Sequence, residues 1–535
     1  MGQAFDAVII GAGHNGLVTA AYLARAGKKV LVVERRERIG GIALTEEFAP
    51  GFKASVGPDL VGLLLPQIVR DFDLSQNGLE ILKPDPAVFL PTIEGESLAI
   101  WQDENRTIDE IGRHSEADAD AYPRFAGLVD RLTAFARPLL SKNAPRPESK
   151  KAGDLLDFLG LGWNLRQLGK QTLYQALRIP PMSVSDFLDE WFESEPLKAC
   201  LAAQGLVGCS VGPRSFGTAT IFLYHQLGEP GWPLTSWGLP KGGMGSVSEA
   251  LAKAAEKHGV RIRTEAPVSR ILITNGRACG VVLENGEEIQ ARSVVSGTDP
   301  KTTFLRLVDP IHVGTDYLKK IERIRYRGVT AKLMLALREL PHFACRSGMD
   351  PAEQHGGVIQ IGSNIDYLER AYDDAKYRRP SERPYLQVVL PSLADASMAP
   401  PGQHVMSVTM QYAPYQLDEG DWSGRKESLA ENIIETLSTY APNLPNAILH
   451  RKILTPQDYE DIYGQPEGSF HHGELNIDQL YFMRPVSGWA RYRTPIIGLY
   501  LCGSGTHPGG GVSGACGFNA SRQILKDWNR SVASS

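Results

Sequence analysis

The apolar run from Phe5 to Ile10 predicts a strand buried on both faces. Leu17, Ala20, Ala21 and Ala24 then recur at helical spacing, and Gly27 supplies a helix stop. Lys29 to Glu34 is a second strand, so the chain opens as strand, helix, strand. Short strand-like runs broken by Pro and Gly fill about 79–101, and "ADADAYPRFAGLVDRLTAFARPLL" is a helix. Residues 145–155 are polar and predict an exposed loop, followed by two or three helices to about 209. "LPKGGMGSVSEALAKAAEKHGVRIRT" reads as loop, helix, strand. A meander follows, with hairpin turns at Asn275-Gly276 and Asn285-Gly286. Further strands are predicted at 328–337, 356–361, 385–391 and 404–412, with helices at about 365–377 and 422–440. The run "PIIGLYLCG" predicts a last strand that returns beside the first, and a glycine-dense segment leads from it into a final helix.

A chain of 535 residues exceeds one ordinary core, which predicts two domains or one large core with insertions. Net charge is −5, which argues against a nucleic-acid partner, since such proteins carry a basic patch. The six cysteines are scattered, with no CxxC pair and no Cys/His spacing for zinc, so no metal is expected. The strand starting at Phe5 leaves no room for a signal or transit peptide, and "LVGLLLPQIV" is too short to span a bilayer. These features predict a reducing, cytoplasmic compartment.

Gly11-Ala12-Gly13-His14-Asn15-Gly16 is a GxGxxG loop in its full context: a strand before it, a helix after it, and an acid, Glu34, ending the next strand. Gly11 makes the turn and Gly13 lets the backbone reach a pyrophosphate seated on the helix N-terminus. Gly16 permits close helix–strand packing, and Glu34 accepts hydrogen bonds from ribose hydroxyls. The loop therefore predicts dinucleotide binding. Glu34 repels a 2′-phosphate, although Arg35 and Arg36 follow, which leaves FAD or NAD. A second cluster, Gly242, Gly243 and Gly245, does not match the motif and follows no convincing strand. One complete dinucleotide site and no CxxC exclude a pyridine-nucleotide disulfide reductase.

Three stretches carry a family resemblance. "ERRERIGG" places Gly40-Gly41 after Glu34, "PKGGMGSV" contains Gly243 and Met244, and "LYLCGSGTHPGGGVSGACG" closes the chain. With "TEEFAPGFKAS" and "EDIYGQPEGSFHHGELNIDQLYFMRP" they run in order along almost the whole sequence. The chain resembles the phytoene desaturase and carotenoid isomerase-like flavoproteins, nearest the branch called pyridine nucleotide-disulfide oxidoreductase domain-containing protein 2. The resemblance implies an α/β fold: a Rossmann-type FAD domain of the p-hydroxybenzoate hydroxylase-like (glutathione reductase 2) kind. An inserted α+β substrate domain would hold an antiparallel sheet. It implies a discontinuous FAD domain over 1–78, 230–310 and 485–535, a substrate or cap domain over 79–229 and 311–484, and one noncovalent FAD. The Gly40-Gly41 pair would pass the flavin's phosphate and ribityl side, and Val268 would touch the adenine. Gly503, Ser504, Thr506, Gly511 and Val512 would carry the chain beneath the ribityl group, with Val512 and Ser513 opening the final helix toward the flavin. Ile42 replaces an arginine common among relatives, leaving that phosphate contact to Arg35 or to backbone. No carboxylate stands in the C-terminal segment, so Ser504 or backbone N–H groups would serve instead.

In such a protein the flavin does the hard step and the polypeptide aligns the substrate with it. No GxSxG or HExxH motif suggests other chemistry. The candidate catalytic residues are His507, inside the glycine segment, and His472 and Asp478, in the loop "SFHHGELNIDQLYFMRP". The leading expectation is an FAD-dependent oxidoreductase acting on a hydrophobic small molecule, by dehydrogenation or desaturation. Alternatives are a non-redox cis–trans isomerase using reduced FAD, an amine oxidase, and a flavin-bearing interaction protein of low turnover. A single dinucleotide site favours oxygen or a quinone over NAD(P) as electron acceptor. Residues 155–192, rich in Leu, Phe and Trp, fit a buried cap or the interface of a homo-oligomer better than a peripheral membrane contact.

Overall fold

A computed structural model describes residues 5–145, 149, 152–345 and 351–533. Two seven-stranded sheets organise them. In the first, Phe5–Ile10 is flanked in parallel by Val30–Val33 and by Glu288–Ser296, and Val30–Val33 continues to Arg261–Arg263. Its side chains from Ala7 to Ile10 are buried, as a strand covered by helices on both faces requires. The meander Val268–Thr274, Arg277–Leu283 and Glu288–Ser296 extends the sheet. Its first turn has Asn275 and Gly276 both at positive φ (51° and 73°), as a two-residue hairpin of this hand needs.

The end of the chain corrects one expectation. Leu499–Leu501 does not lie beside the first strand but pairs in parallel with Val294–Ser296 of Glu288–Ser296. That long strand keeps one edge for Phe5–Ile10 and divides the other between the meander and the chain's last strand. The final helix also starts later than expected. It spans Ala515–Ala533, because Val512 and Gly514 take left-handed backbone (φ 54° and 69°) that cannot enter a right-handed helix.

The second sheet runs Ile448–Leu454, Thr330–Leu337, His404–Gln411, Tyr385–Val389, Val358–Ile361, Val88–Pro91, Ser97–Ile100, antiparallel except where Val358–Ile361 meets Val88–Pro91. Thr330–Leu337 is buried along its whole length. Leu333, Leu335 and Leu337 share a core with Leu429, Ile433 and Leu437 of the Trp422–Ser438 helix. Met334 and Ala336 face the other way, onto Leu44, Phe52 and Ala54. Strands of the first sheet fall within 1–78, 230–310 and 485–535, and those of the second within 79–229 and 311–484.

Between the sheets' chain segments stand helices. Of the loop expected at 145–155, residues 146–148, 150 and 151 lie outside the described residues; from Ala152 the chain is helical through Gln167, and again over Gly169–Arg178. Leu156, Leu159, Trp163, Tyr174 and Leu177 are 61–67% exposed, so these two helices are not a buried cap. Among the described residues no helix is long and apolar enough to cross a membrane.

Candidate cofactor and active site

Three chain segments meet at the C-terminal ends of the parallel strands, where an open α/β sheet offers its ligand crevice. The Gly11–Gly16 loop leaves the first strand, Gly297-Thr298 leaves Glu288–Ser296, and Gly503-Ser504 leaves the last strand. They are knitted by backbone: Gly297 N–H donates to the Ile10 carbonyl and Cys502 N–H to that of Ser296, both at 2.8 Å. Asn15 joins the two glycine segments. Its Nδ2 donates to Ser504 Oγ (3.2 Å) and its Oδ1 accepts from Gly517 N–H (3.3 Å). Gly517 must be glycine, since a Cβ there would sit 2.2 Å from the Asn15 carbonyl oxygen.

These segments line a cavity of about 570 Å³. At one end stand Glu34, Arg35, Arg36, Val268, Glu284, Arg306, Glu460 and Tyr463. Glu34 is buried, and each of its oxygens takes one backbone N–H, from Ala12 (2.8 Å) and Arg36 (3.1 Å). This leaves lone pairs on the cavity wall for ribose hydroxyls. Arg35 donates to the Ile462 carbonyl (3.2 Å), while Arg36 donates to Gly41 (2.6 Å) and lies over the Tyr463 ring. The middle is bare backbone: Gly11, Gly13, Gly16, Gly40, Gly41, Gly503 and Ser504. A Cβ on Gly13 would meet nothing within 4 Å, and no side chain caps the His14–Arg25 helix behind it. Free N–H groups at a helix N-terminus, facing open space, fit a pyrophosphate.

The other end is walled by Leu60, Val207, Gly208, His225, Trp237, Phe470, His471, His472, Gly511 and Val512. His225 ends the apolar helix Thr218–His225, and its Nδ1–H donates to the Gln204 carbonyl (2.6 Å), leaving the Nε2 lone pair free. The His225 and His471 rings are 6.5 Å apart. Burial lowers both, His225 to about 4 and His471 to about 3, with the neighbouring His225 and Arg484 adding to the effect on His471. His14 is likewise lowered to about 4 by burial and by His472. His472 itself is held at φ 52° and is lowered by burial, with Asp299 opposing.

Several residues singled out from the sequence stand off this wall. Ala12 holds Glu34 through its N–H rather than facing the cavity. Gly243 and Met244 lie behind it: Met244 N–H donates to Ser55 Oγ (3.1 Å), and Gly243 packs under Thr45. Their turn seats the Gly245–Lys257 helix, whose Ser248 donates to Ala43 and so supports the Gly40-Gly41 turn from the rear. Thr506 turns inward to the Gly503 carbonyl (2.8 Å). His507 points away, with its Nε2 against the Leu139 carbonyl (3.0 Å). Asp478 is an exposed partner of Arg325. His507, Asp478 and Thr506 therefore touch neither end of the cavity. His225 and Trp237 escape a reading of the sequence; the one signal is an imidazole closing an otherwise apolar helix, "TATIFLYH".

The buried imidazoles make stability pH-dependent. His225, His471 and His507 have folded pKa values of about 4, 3 and 4, against about 6.5 unfolded. Between those values the unfolded chain binds more protons, so stability falls as pH drops through 6.5 and levels off only below the folded values of about 4 and 3. Each histidine contributes up to about 1.4 kcal/mol per pH unit in that window. Thermal midpoints at pH 7, 6 and 5 should descend steadily; a flat profile would show that these rings are protonated in the fold.

Fold and cavity define a flavin-dependent oxidoreductase with a single dinucleotide site among the described residues. The chain belongs to the flavin-containing amine oxidoreductase family, whose model matches residues 16–525. FAD is its cofactor. It is 39% identical to the rat pyridine nucleotide-disulfide oxidoreductase domain-containing protein 2, over 98% of this chain and 94% of the relative. It is 28% identical to a limonene dehydrogenase polypeptide of Castellaniella defragrans (98% and 95% covered) and 27% to the zeta-carotene-forming phytoene desaturase of Myxococcus xanthus (94% and 90%). Among solved structures it superposes on cyclohexylamine oxidase from Brevibacterium oxydans with a TM-score of 0.57, at 16% identity, covering 99% of this chain and all of that one.

Proposed function

We propose that this oxidoreductase dehydrogenates an uncharged, hydrophobic small molecule, taking hydride from one carbon and a proton from its neighbour. The observation that carries this reading is the wall of the non-adenine end. Its groups are Leu60, Val207, Trp237 and Phe470 with neutral imidazoles, while the cavity's carboxylates, Glu34, Glu284 and Glu460, stand with Arg35, Arg36 and Arg306 at the other end. A substrate ammonium would find no counter-charge there among the described residues.

FAD supplies the hydride acceptor when bound. The polypeptide excludes water from the reacting bond with Leu60, Trp237 and Phe470. It offers His225 Nε2, unprotonated at neutral pH, to receive the proton. The relatives support the reading: two of them are named for limonene dehydrogenase and phytoene desaturase activities, and limonene and phytoene are both hydrocarbons. Oxygen or a quinone then reoxidises the enzyme, since the described residues build one dinucleotide site.

The test is the mass of the product after incubation with limonene, phytoene and cyclohexylamine in parallel. Loss of a hydrogen pair from a hydrocarbon is expected. An isomer of unchanged mass, or peroxide formed only with the amine, would overturn the proposal.

A further inference from the structure

Arg484 is among the most deeply buried large side chains in the protein, 2% exposed. Its donors go to five backbone carbonyls. Nε and Nη2 reach Ser504 O (3.0 and 2.8 Å), Nη2 also His471 O and Gly473 O (3.3 Å), and Nη1 Glu474 O (2.9 Å) and Gln479 O (3.2 Å). Carbonyl dipoles satisfy the N–H groups but leave the unit charge uncancelled.

Among the described residues no carboxylate lies within ion-pairing distance of it. The Glu474 side chain is taken by Arg325 and Arg327. The buried Asp299 carboxylate accepts from Tyr326 and from the Thr302 amide, not from the guanidinium. The other titratable groups around Arg484 are Tyr224, Tyr326, Cys209 and Cys516, which burial raises, and His471, His472 and His507, which burial and Arg484 itself lower, so all are held toward their neutral forms. Asp299, the buried carboxylate nearest to it through Tyr326 and His472, is not paired with it, so burying this cation is costly and an anion in the adjoining cavity would offset that cost.

Its position indicates which anion. Ser504 and His471, whose carbonyls it holds, line the cavity, as does the adjoining His472. The guanidinium therefore stands one residue layer behind the wall, between the bare-backbone middle and the His225–His471 end. We propose that Arg484 is the fixed positive charge of the flavin site, which favours the anionic reduced cofactor and raises its reduction potential. The inference rests on FAD being the cofactor and needs no assumption about the substrate.

The test uses the FAD-loaded protein, with Arg484→Lys and Arg484→Gln beside wild type. Two substrate-free readouts apply: the dissociation constant for sulfite, an anion that adds to oxidised flavin, and the two-electron midpoint potential. Arg484→Gln should weaken sulfite binding by at least about tenfold and lower the potential by about 30 mV, the equivalent for a two-electron couple. Arg484→Lys should stay within about threefold of wild type, because it keeps the charge but not the fork. Wild-type values in Arg484→Gln would reduce Arg484 to a clamp between backbone segments. If Arg484→Gln does not fold, wild type loaded with 8-mercapto-FAD decides. Charge drawn from the thiolate onto the pyrimidine edge, seen as a long-wavelength shift, upholds the proposal. An unshifted thiolate spectrum overturns it.

Discussion

Gly13→Val should yield a folded chain that has lost its cofactor. Gly13 sits at φ −66° and ψ 162°, backbone that suits a β-branched residue, and its Cβ would touch no protein atom within 4 Å. The polypeptide has no reason to reject the side chain. The space it fills is the cavity in front of the uncapped His14–Arg25 helix, where a pyrophosphate would sit. Losing two charge-assisted hydrogen bonds there costs about 3 kcal/mol or more, so FAD affinity should fall by at least about a hundredfold. The FAD-free thermal midpoint should stay near that of FAD-free wild type. Gly16→Ala is the contrasting case. Its Cβ would lie 2.2 Å from the Gly11 carbonyl oxygen, so it should damage folding whether or not FAD is present. Full flavin occupancy in Gly13→Val, measured by visible absorbance after gel filtration, would remove the pyrophosphate from this loop.

Asp59→Ala should be the most destabilising single change outside the cofactor crevice. Lys332 is 1% exposed within the fully buried strand Thr330–Leu337. Its Nζ donates to Asp59 Oδ2 (2.8 Å) and to the Gly57 carbonyl, and Ser407 Oγ donates to both Asp59 oxygens (3.0 and 3.1 Å). Removing the carboxylate leaves a desolvated ammonium and an unsatisfied hydroxyl, a loss of roughly 3–5 kcal/mol. Burial already depresses the Lys332 pKa, with Asp59 opposing, so the stranded lysine would titrate lower still. The double variant Asp59→Leu with Lys332→Met should recover much of the loss, since an apolar pair has no charge to desolvate. Denaturant unfolding of the wild type and both variants checks this. Because Pro58 and Leu60 on either side of Asp59 line the cavity, the pair also ties the second sheet to the cavity wall.

Most of the cofactor half was legible in the sequence because its signals are local. The Phe5–Ile10 strand, the GxGxxG loop, Glu34 and the Asn-Gly turn at 275–276 each follow from a few consecutive residues. Strand partnership is not local: the run before Cys502 announces a strand but not that Glu288–Ser296 is its neighbour. The Ile448–Leu454 strand hid behind its polar centre, His450-Arg451-Lys452, which an edge strand can tolerate. Lys332 interrupts an apolar run, and no local pattern marks its partner, which lies 273 positions away. The catalytic expectation at His507 failed for a similar reason. A histidine among glycines reads as a site residue, but which way the ring turns depends on Leu139, which the sequence does not place beside it. His225 and Arg484 matter through burial and partners, and neither property is written in their neighbours along the chain.

The glycine-dense C-terminal segment owes its composition to what it passes. From Gly503 it crosses the ends of the parallel strands, bonds Asn15 through Ser504, and closes the cavity with Gly511 and Val512. The most direct test of a flavin site built for an uncharged substrate is the visible spectrum of the FAD-loaded enzyme under strict anaerobiosis, with limonene, phytoene or cyclohexylamine added in turn. A hydrocarbon should bleach the flavin and the amine should not. Bleaching by the amine alone would contradict the assignment.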